Sequence, residues 1–254
     1  MREDQRGQHR SVARTSAVVA ATELLAASCT QRLGHPLEVL DLGGGTGGVA
    51  VPLAVSGHRV TVVDPSPNAL AALGDRAREA GVSGRVTGLQ GDGDSLESVL
   101  PGAIFDLACC HGTLEFVDDP SRTLRATATV LRPGGVLSLV VAGRLAVVFA
   151  KAIGGEFGHA RAALLDPAGR WGAQDPLPRR FDLDRLTGLL TAAGFAIEQA
   201  RGAGILSHLV PASLVDSEAD RAALDELDDL LVRGSGREVL GTLGSALYVV
   251  ARRG

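Results

Sequence analysis

Val39-Leu40-Asp41-Leu42-Gly43-Gly44-Gly45-Thr46-Gly47-Gly48 decides the fold. The apolar run from Leu37 to Leu42, broken only by Glu38 and Asp41, reads as a buried strand. A glycine-dense turn follows, and Val49-Ala50-Val51-Pro52-Leu53-Ala54 opens an apolar helix. Strand, glycine turn and helix N-terminus in that order make the nucleotide site of a doubly wound α/β sheet. Glycines let the backbone curl tightly and let a ligand approach without meeting a Cβ. Asp64 closes the next apolar run, Val60 to Val63. It lies about 20 residues past the turn, where a carboxylate can take both hydroxyls of a ribose.

Upstream, Ser11 to Thr30 is rich in alanine and valine and reads as a helix leading into the core, with Arg10 and Arg14 near its start. Downstream, strands and helices alternate. The expected strands are Arg59–Asp64, Arg85–Gln90, Phe105–Cys110 (ending at His111) and the fully apolar Val136–Ala142. Helices are expected from Pro65-Ser66-Pro67-Asn68 to Ala80 and over Asp118–Leu131, the latter stopped by Arg132-Pro133-Gly134-Gly135. This alternation implies a mostly parallel sheet covered on both faces. Beyond Ala142 the pattern loosens. Arg144–Leu165 looks helical with a break at Gly154-Gly155, and Asp166–Arg180 is a long proline-containing loop. Leu183–Ala193 is an amphipathic helix, Phe195–Arg201 and Ala246–Ala251 are strands, and Ser217–Val232 is an acidic helix. The expected organisation is an N-terminal helix over 1–36, a core over 37–142, a lid insertion over 143–180, and a helix with a strand pair over 181–254 carrying a helical insertion at 204–241.

Composition narrows the function. The chain has 254 residues, suited to one core with appendages. Aromatic residues are 3% of the total, so Leu, Val and Ala must fill the core. Net charge is −4, and Lys151 is the only lysine, which counts against a nucleic-acid substrate unless a local basic patch supplies one. Cys29, Cys109 and Cys110 fit neither a metal site nor a disulfide framework, and adjacent Cys109 and Cys110 on a strand point to opposite faces. No metal is expected. No apolar run reaches spanning length, and the polar Met1–Arg10 segment lacks a signal-peptide core. A soluble cytoplasmic protein is the expectation.

The glycine turn admits two cofactors. Gly43, Gly45 and Gly48 satisfy the dinucleotide spacing G-x-G-x-x-G, while Asp41 followed by Gly43, Gly45 and Gly47 satisfies D-x-G-x-G-x-G, the loop of S-adenosylmethionine (SAM) methyltransferases. Asp41 favours the second, because a carboxylate there repels a pyrophosphate and suits a ligand bearing an ammonium and a sulfonium. Asp41 as a plain turn carboxylate is the structural alternative. The chain resembles class I SAM-dependent methyltransferases through four marks in order: the loop Asp41–Gly47, Asp64 closing the second strand, Asp92-Gly93-Asp94 after the third, and Leu131-Arg132-Pro133-Gly134-Gly135 before the fifth. The resemblance covers about Leu37 to Ala142. It implies a Rossmann-like core with an antiparallel edge strand. A narrower likeness, through His111-Gly112-Thr113-Leu114-Glu115-Phe116-Val117-Asp118-Asp119-Pro120 and Arg132 to Leu139, is to the bacterial tRNA carboxymethoxyuridine methyltransferases, which esterify a carboxylate on a wobble uridine.

That resemblance implies a cofactor set of Asp41, Gly43, Gly44, Gly45, Gly47, Asp64, Pro65, Asp92, Gly93, Asp94 and His111. It adds an N-terminal arginine, with Arg14 the first candidate and Arg10 the second. Asp92 and Asp94 could instead make an Asx turn, and His111 could bond local backbone. His111 is the positioning candidate; no catalytic base stands out, since Glu115, the other local group, reads as structural. Trp171 could stack on a flat substrate or anchor its loop. Arg161, Arg170, Arg179 and Arg180 could hold an anion or form a solvated face. The expected acceptor is a carboxylate or other oxygen nucleophile, on tRNA or on a small molecule. An NAD-dependent oxidoreductase and a non-catalytic interaction protein are the competing classes.

Overall fold

A central strand covered on both faces needs apolar residues at nearly every position, and β1 (Glu38–Leu42) buries every residue after Glu38. The computed structural model describes residues 2–210, 214–215, 217–233 and 241–254, with side chains described except at 2–16, 207–208, 229, 232–233 and 241. Around β1 are arranged β2 (Arg59–Asp64), β3 (Val86–Gln90), β4 (Phe105–His111), β5 (Leu131–Ala142), β6 (Phe195–Ala203) and β7 (Ala246–Arg253). They form one seven-stranded sheet in the order β3-β2-β1-β4-β5-β7-β6. The first five strands are parallel, and β7 runs antiparallel between β5 and the edge strand β6.

Alternation along each strand sends its side chains to two separate cores. Leu40, Leu42, Cys110 and Leu137 face one core, closed by α5 (Pro120–Val130) and α8 (Leu183–Ala192). Val39, Val62, Cys109 and Tyr248 face the other, closed by α1 (Arg2–Leu33), α2 (Ala50–Val55) and α3 (Pro67–Glu79). The adjacent cysteines divide between the two cores, as the strand period requires. Helix starts follow their caps. Ser66 accepts from the Ala69 N–H with Pro67 behind it, and Asp119 accepts from the Ser121 and Arg122 N–H groups ahead of α5. The helix expected from Asp118 therefore begins at Pro120.

The first helix, expected over Ser11–Thr30, spans Arg2–Leu33, and a strand boundary is corrected as well. The Arg132–Gly135 segment, expected as a turn before the fifth strand, lies within β5, because Leu131 already pairs with Phe105 and pairing resumes at Val136 opposite Leu107. The four residues between them bulge out. Arg132 is tied to buried Asp106 at 3.1 Å, and Gly134 C=O accepts from Arg252. Beyond β5, α6 (Arg144–Ile153) and α7 (Phe157–Leu165) pack on each other. Between β6 and β7 stand the one-turn α9 (Leu206–Leu209) and α10 (Glu218–Arg233), with short α4 (Leu96–Val99) following β3. Among the described residues no helix is long and apolar enough to cross a membrane.

Candidate functional site

Connections leave β1 towards β2 on one side, while β4 lies on the other, so the crevice of this sheet opens at the carboxyl ends of β1 and β4. The glycine turn forms its floor. Gly43 N–H donates to Val63 C=O at 2.7 Å, and Gly47 N–H to Gly44 C=O at 3.0 Å. Positive φ occurs at Gly43, Gly45 and Gly47 and not at Gly48, so the strained positions are those of D-x-G-x-G-x-G. At Gly43 (φ 72°) a Cβ would sit 2.3 Å from Thr113 Oγ1, and at Gly47 (φ 82°) it would sit 2.4 Å from Leu73 Cδ1. Neither position tolerates a side chain.

Two carboxylates back this floor. Asp64 Oδ2 accepts from Gly45 N–H and its Oδ1 from Ser66 N–H, both at 2.9 Å. Each oxygen keeps a second acceptor site, enough for a pair of hydroxyls. Pro65 follows on the surface, its carbonyl accepting from Gln90. Asp41 is buried against Gly44, and its Oδ2 has no hydrogen-bond partner. Burial pushes its carboxyl up to about 7, and the nearby Asp64 charge adds to the rise. A buried carboxylate oxygen without a donor is costly. A ligand ammonium is the donor that suits it, so the residues present fit a ligand with an ammonium at one end and a ribose further along.

The β3 side contributes Asp92, Gly93 and Asp94. Asp92 Oδ1 accepts from the N–H groups of Asp94 (3.0 Å) and Ser95 (2.9 Å), the Asx turn weighed for it in the sequence. Gly93 is buried against Thr123, and the Asp94 carboxylate reaches Arg122 Nε at 3.5 Å. His111 ends β4. Its Nε2 meets Ser138 Oγ at 2.9 Å, in place of the local backbone bond that was its alternative, and its buried Nδ1 has no partner. Burial pushes its imidazole down to about 4, so the ring is neutral at pH 7. The side chains of Arg14 and Arg10 lie outside the described residues.

The opposite side of the crevice was harder to foresee. Arg179, read from sequence as an anion ligand or a solvated side chain, donates to the carbonyls of Leu114 (3.0 Å) and Val117 (2.7 Å). Arg180 is buried in a two-pronged pair with Asp175 at 2.6 and 2.9 Å. Neither is free for a substrate, and neither is a solvated face. Trp171 anchors its loop: Lys151 Nζ stands 4.2 Å from its ring centre, and the His159 ring lies 5.0 Å away, tilted by 55°. Glu115 is buried, its Oε1 accepting from Ala142 N–H at 2.6 Å, and burial raises its pKa despite that bond. No local pattern signals Ser138 or Thr113: strand register sets Ser138 within reach of His111, and the turn after β4 carries the Thr113 hydroxyl to the Leu42 carbonyl at 2.9 Å. A separate hollow of about 670 Å³ at the amino ends of the strands, between His35, Arg59 and Arg85, lies away from all these groups.

A methyltransferase-domain family model matches residues 40–139. The chain is 31% identical over 221 residues to the tRNA 5-carboxymethoxyuridine methyltransferase of Escherichia coli (strain K12), covering 85% of this chain and 80% of the relative. It is 35% identical over 119 residues to the ubiquinone biosynthesis O-methyltransferase of Xanthomonas euvesicatoria pv. vesicatoria, covering 46% of this chain and 48% of that one. Among solved structures, magnesium protoporphyrin IX methyltransferase from Synechocystis PCC 6803 with bound SAH shares the fold. Its TM-score is 0.60 at 19% identity, over 96% of this chain and 84% of that one.

Proposed function

The chain belongs to the class I SAM-dependent methyltransferases, and on that premise we propose that it esterifies a carboxylate, the acceptor being carboxymethoxyuridine in tRNA. The observation that carries this reading is the likeness to the Escherichia coli enzyme across 85% of the chain, well beyond the cofactor-binding core. SAM supplies an activated methyl group on a sulfonium. Asp41 takes the ammonium of its methionine part, Asp64 the ribose hydroxyls and Asp94 the adenine amino group, with Gly43, Gly44, Gly45, Gly47, Pro65, Asp92 and Gly93 shaping the floor.

A carboxylate is already ionised at pH 7, its ordinary pKa being about 4, and needs no general base. The oxygen lone pair forms the new C–O bond while the C–S electron pair returns to sulfur. Anion and sulfonium become a neutral ester and a neutral thioether, with no proton moved. Alignment and exclusion of water therefore carry the catalysis. The segment over 143–180 and the described residues of 204–241 supply the walls that select the acceptor; 211–213, 216 and 234–240 lie outside the described residues.

A small-molecule acceptor is the second reading. The net charge of −4 favours it, as does the exposed apolar row Phe149, Ile153 and Phe157 on α6 and α7, which are 44%, 61% and 71% exposed. Methyl-labelled SAM offered with bulk tRNA and, separately, with a small-molecule extract tests the choice. Label in tRNA alone supports the first reading; label in the extract alone replaces it with the second.

A further inference from the structure

A single exposed apolar side chain is ordinary on a protein surface, and place and rigidity decide whether it means more. Phe116 stands on the turn between β4 and α5, at the carboxyl end of β4 and so on the ligand side of the sheet. Its neighbours turn inward: Leu114 is fully buried in the core closed by α5 and α8, and Val117 packs against that core. Phe116 joins neither core and is 62% exposed. Phe105, Phe181 and Phe195 are buried, while the other exposed phenylalanines, Phe149 and Phe157, belong to α6 and α7. Phe116 is thus the exposed phenylalanine carried by a turn of the crevice itself.

That turn is pinned on both sides of Phe116 to three other parts of the molecule. Thr113 Oγ1 donates to Leu42 C=O at the end of β1 (2.9 Å), and Glu115 Oε1 accepts from Ala142 N–H at the end of β5 (2.6 Å). Arg179 spans the residue, donating to the carbonyls of Leu114 (3.0 Å) and Val117 (2.7 Å). The Phe116 N–H itself donates to Thr113 C=O at 3.0 Å. Thr113 also fills the space that a side chain on Gly43 would need, so the turn borders the glycine floor directly. Three residues of chain separate Phe116 from that contact, a reach of at most about 11 Å. A ring on so fixed a backbone surrenders little conformational freedom when it binds. Its chemistry is narrow: an uncharged aromatic face takes another flat ring, and every nucleic-acid base offers one.

We propose that Phe116 is the platform on which the acceptor base stacks: the pyrimidine ring of the wobble uridine lies against the phenyl face, and its carboxymethoxy arm extends towards the glycine floor. This rests on the tRNA reading given above and adds to it the residue that holds the base. Bases in single-stranded loops are free to leave their neighbours and stack on aromatic side chains. Stacking needs no positive charge, and Arg179 and Arg180 on this side of the crevice are spent on protein partners. It therefore supplies affinity for an RNA base in a chain whose net charge is −4. One such contact is worth about ten- to a hundredfold in affinity.

The test uses the full-length protein with methyl-labelled SAM and carboxymethoxyuridine-containing tRNA. Phe116→Ala should raise the tRNA KM about ten- to a hundredfold. Its kcat, SAH affinity and unfolding midpoint should stay near wild type, since the side chain lies outside both cores. Phe116→Leu, apolar but not flat, should behave like the alanine variant, and Phe116→Trp should keep the wild-type KM. A second measurement needs no variant. An anticodon stem-loop carrying 5-iodouridine at the wobble position, irradiated on the SAH-loaded protein, should crosslink to Phe116, as peptide mass spectrometry would show. A wild-type KM in Phe116→Ala or in Phe116→Leu overturns the platform, and so does a crosslink on Phe149 or Phe157 in its place. Those results leave the tRNA reading standing as long as the wild type labels tRNA. If the wild type labels the small-molecule extract and leaves tRNA unlabelled, the tRNA reading falls and the platform falls with it.

Discussion

The two sides of the crevice are built on opposite plans. On the β1–β2–β3 side, acidic groups are left with open valences: Asp41 Oδ2 has no partner, and Asp64 spends only one acceptor site per oxygen on Gly45 and Ser66. On the β4–β5 side, the charged groups are consumed internally. Arg179 clamps the turn after β4, Arg180 and Asp175 close on each other, and Glu115 ties that turn to Ala142. The first side is poised for a ligand of fixed chemistry, rich in N–H and O–H donors. The second is a rigid frame whose charges hold backbone in place, leaving the neutral His111 and the exposed Phe116 as uncharged groups beside it.

Breaking the frame should have the largest effect on stability. Arg180→Ala leaves the Asp175 carboxylate, whose side chain is fully buried, without its partner, and should cost about 3–5 kcal/mol. Thermal unfolding checks this, and SAH affinity measured well below the new midpoint should be nearly unchanged. Burial alone would raise the Asp175 carboxyl; the bonds from Arg180, Trp171 and Leu177 outweigh it and hold it below the usual carboxylate range. Its stabilising contribution is therefore present above the ordinary carboxylate pKa and lost as pH falls through the depressed value, so wild type and variant should converge in strong acid.

The opposite signature is expected on the cofactor side. Asp41 has a folded pKa raised to about 7. Its contribution is favourable below the ordinary carboxylate pKa and lost as pH rises towards 7. Asp41→Asn should accordingly stabilise the ligand-free protein at pH 8 by roughly 4 kcal/mol, and leave it nearly unchanged near pH 4. The same change should weaken SAH binding. In the wild type, SAH affinity should rise about tenfold per pH unit up to about pH 7 and then level off, since the ammonium requires an ionised Asp41. A flat profile in calorimetry would remove the ammonium from Asp41.

Most of the β1–β2–β3 side was legible in the sequence because its parts are local. Three glycines at positive φ and the carboxylates at Asp41 and Asp64 follow from a strand, a turn and the next strand, all within about one βαβ unit. The parallel run of β1 to β5 follows from the same alternation. The bulge at Arg132–Gly135 was missed because a proline-glycine pair reads equally as a turn or as an interruption inside a strand; only the pairing of Leu131 with Phe105 decides. The frame was illegible for a related reason. Arg179 reaches Leu114 across 65 positions, and Ser138 meets His111 across 27, contacts that no local pattern encodes.

Smaller changes sharpen the contrast. Asp64→Ala should weaken SAH binding by roughly 1–3 kcal/mol through the unpaired ribose hydroxyls, with a lesser effect on the acceptor KM. Unchanged affinity by calorimetry would take Asp64 out of the cofactor site. Arg59→Ala breaks an exposed pair with Glu38 at the far end of the sheet and should change the unfolding free energy by less than about 0.5 kcal/mol and neither affinity.

The acceptor chemistry is tested most directly by the methyl group itself. After turnover with methyl-labelled SAM and tRNA, mild alkali should release the label as volatile methanol, as a methyl ester requires. Label that survives alkali, bound to nitrogen, carbon or an ether oxygen, would contradict a carboxylate acceptor while leaving the SAM-dependent transfer in place.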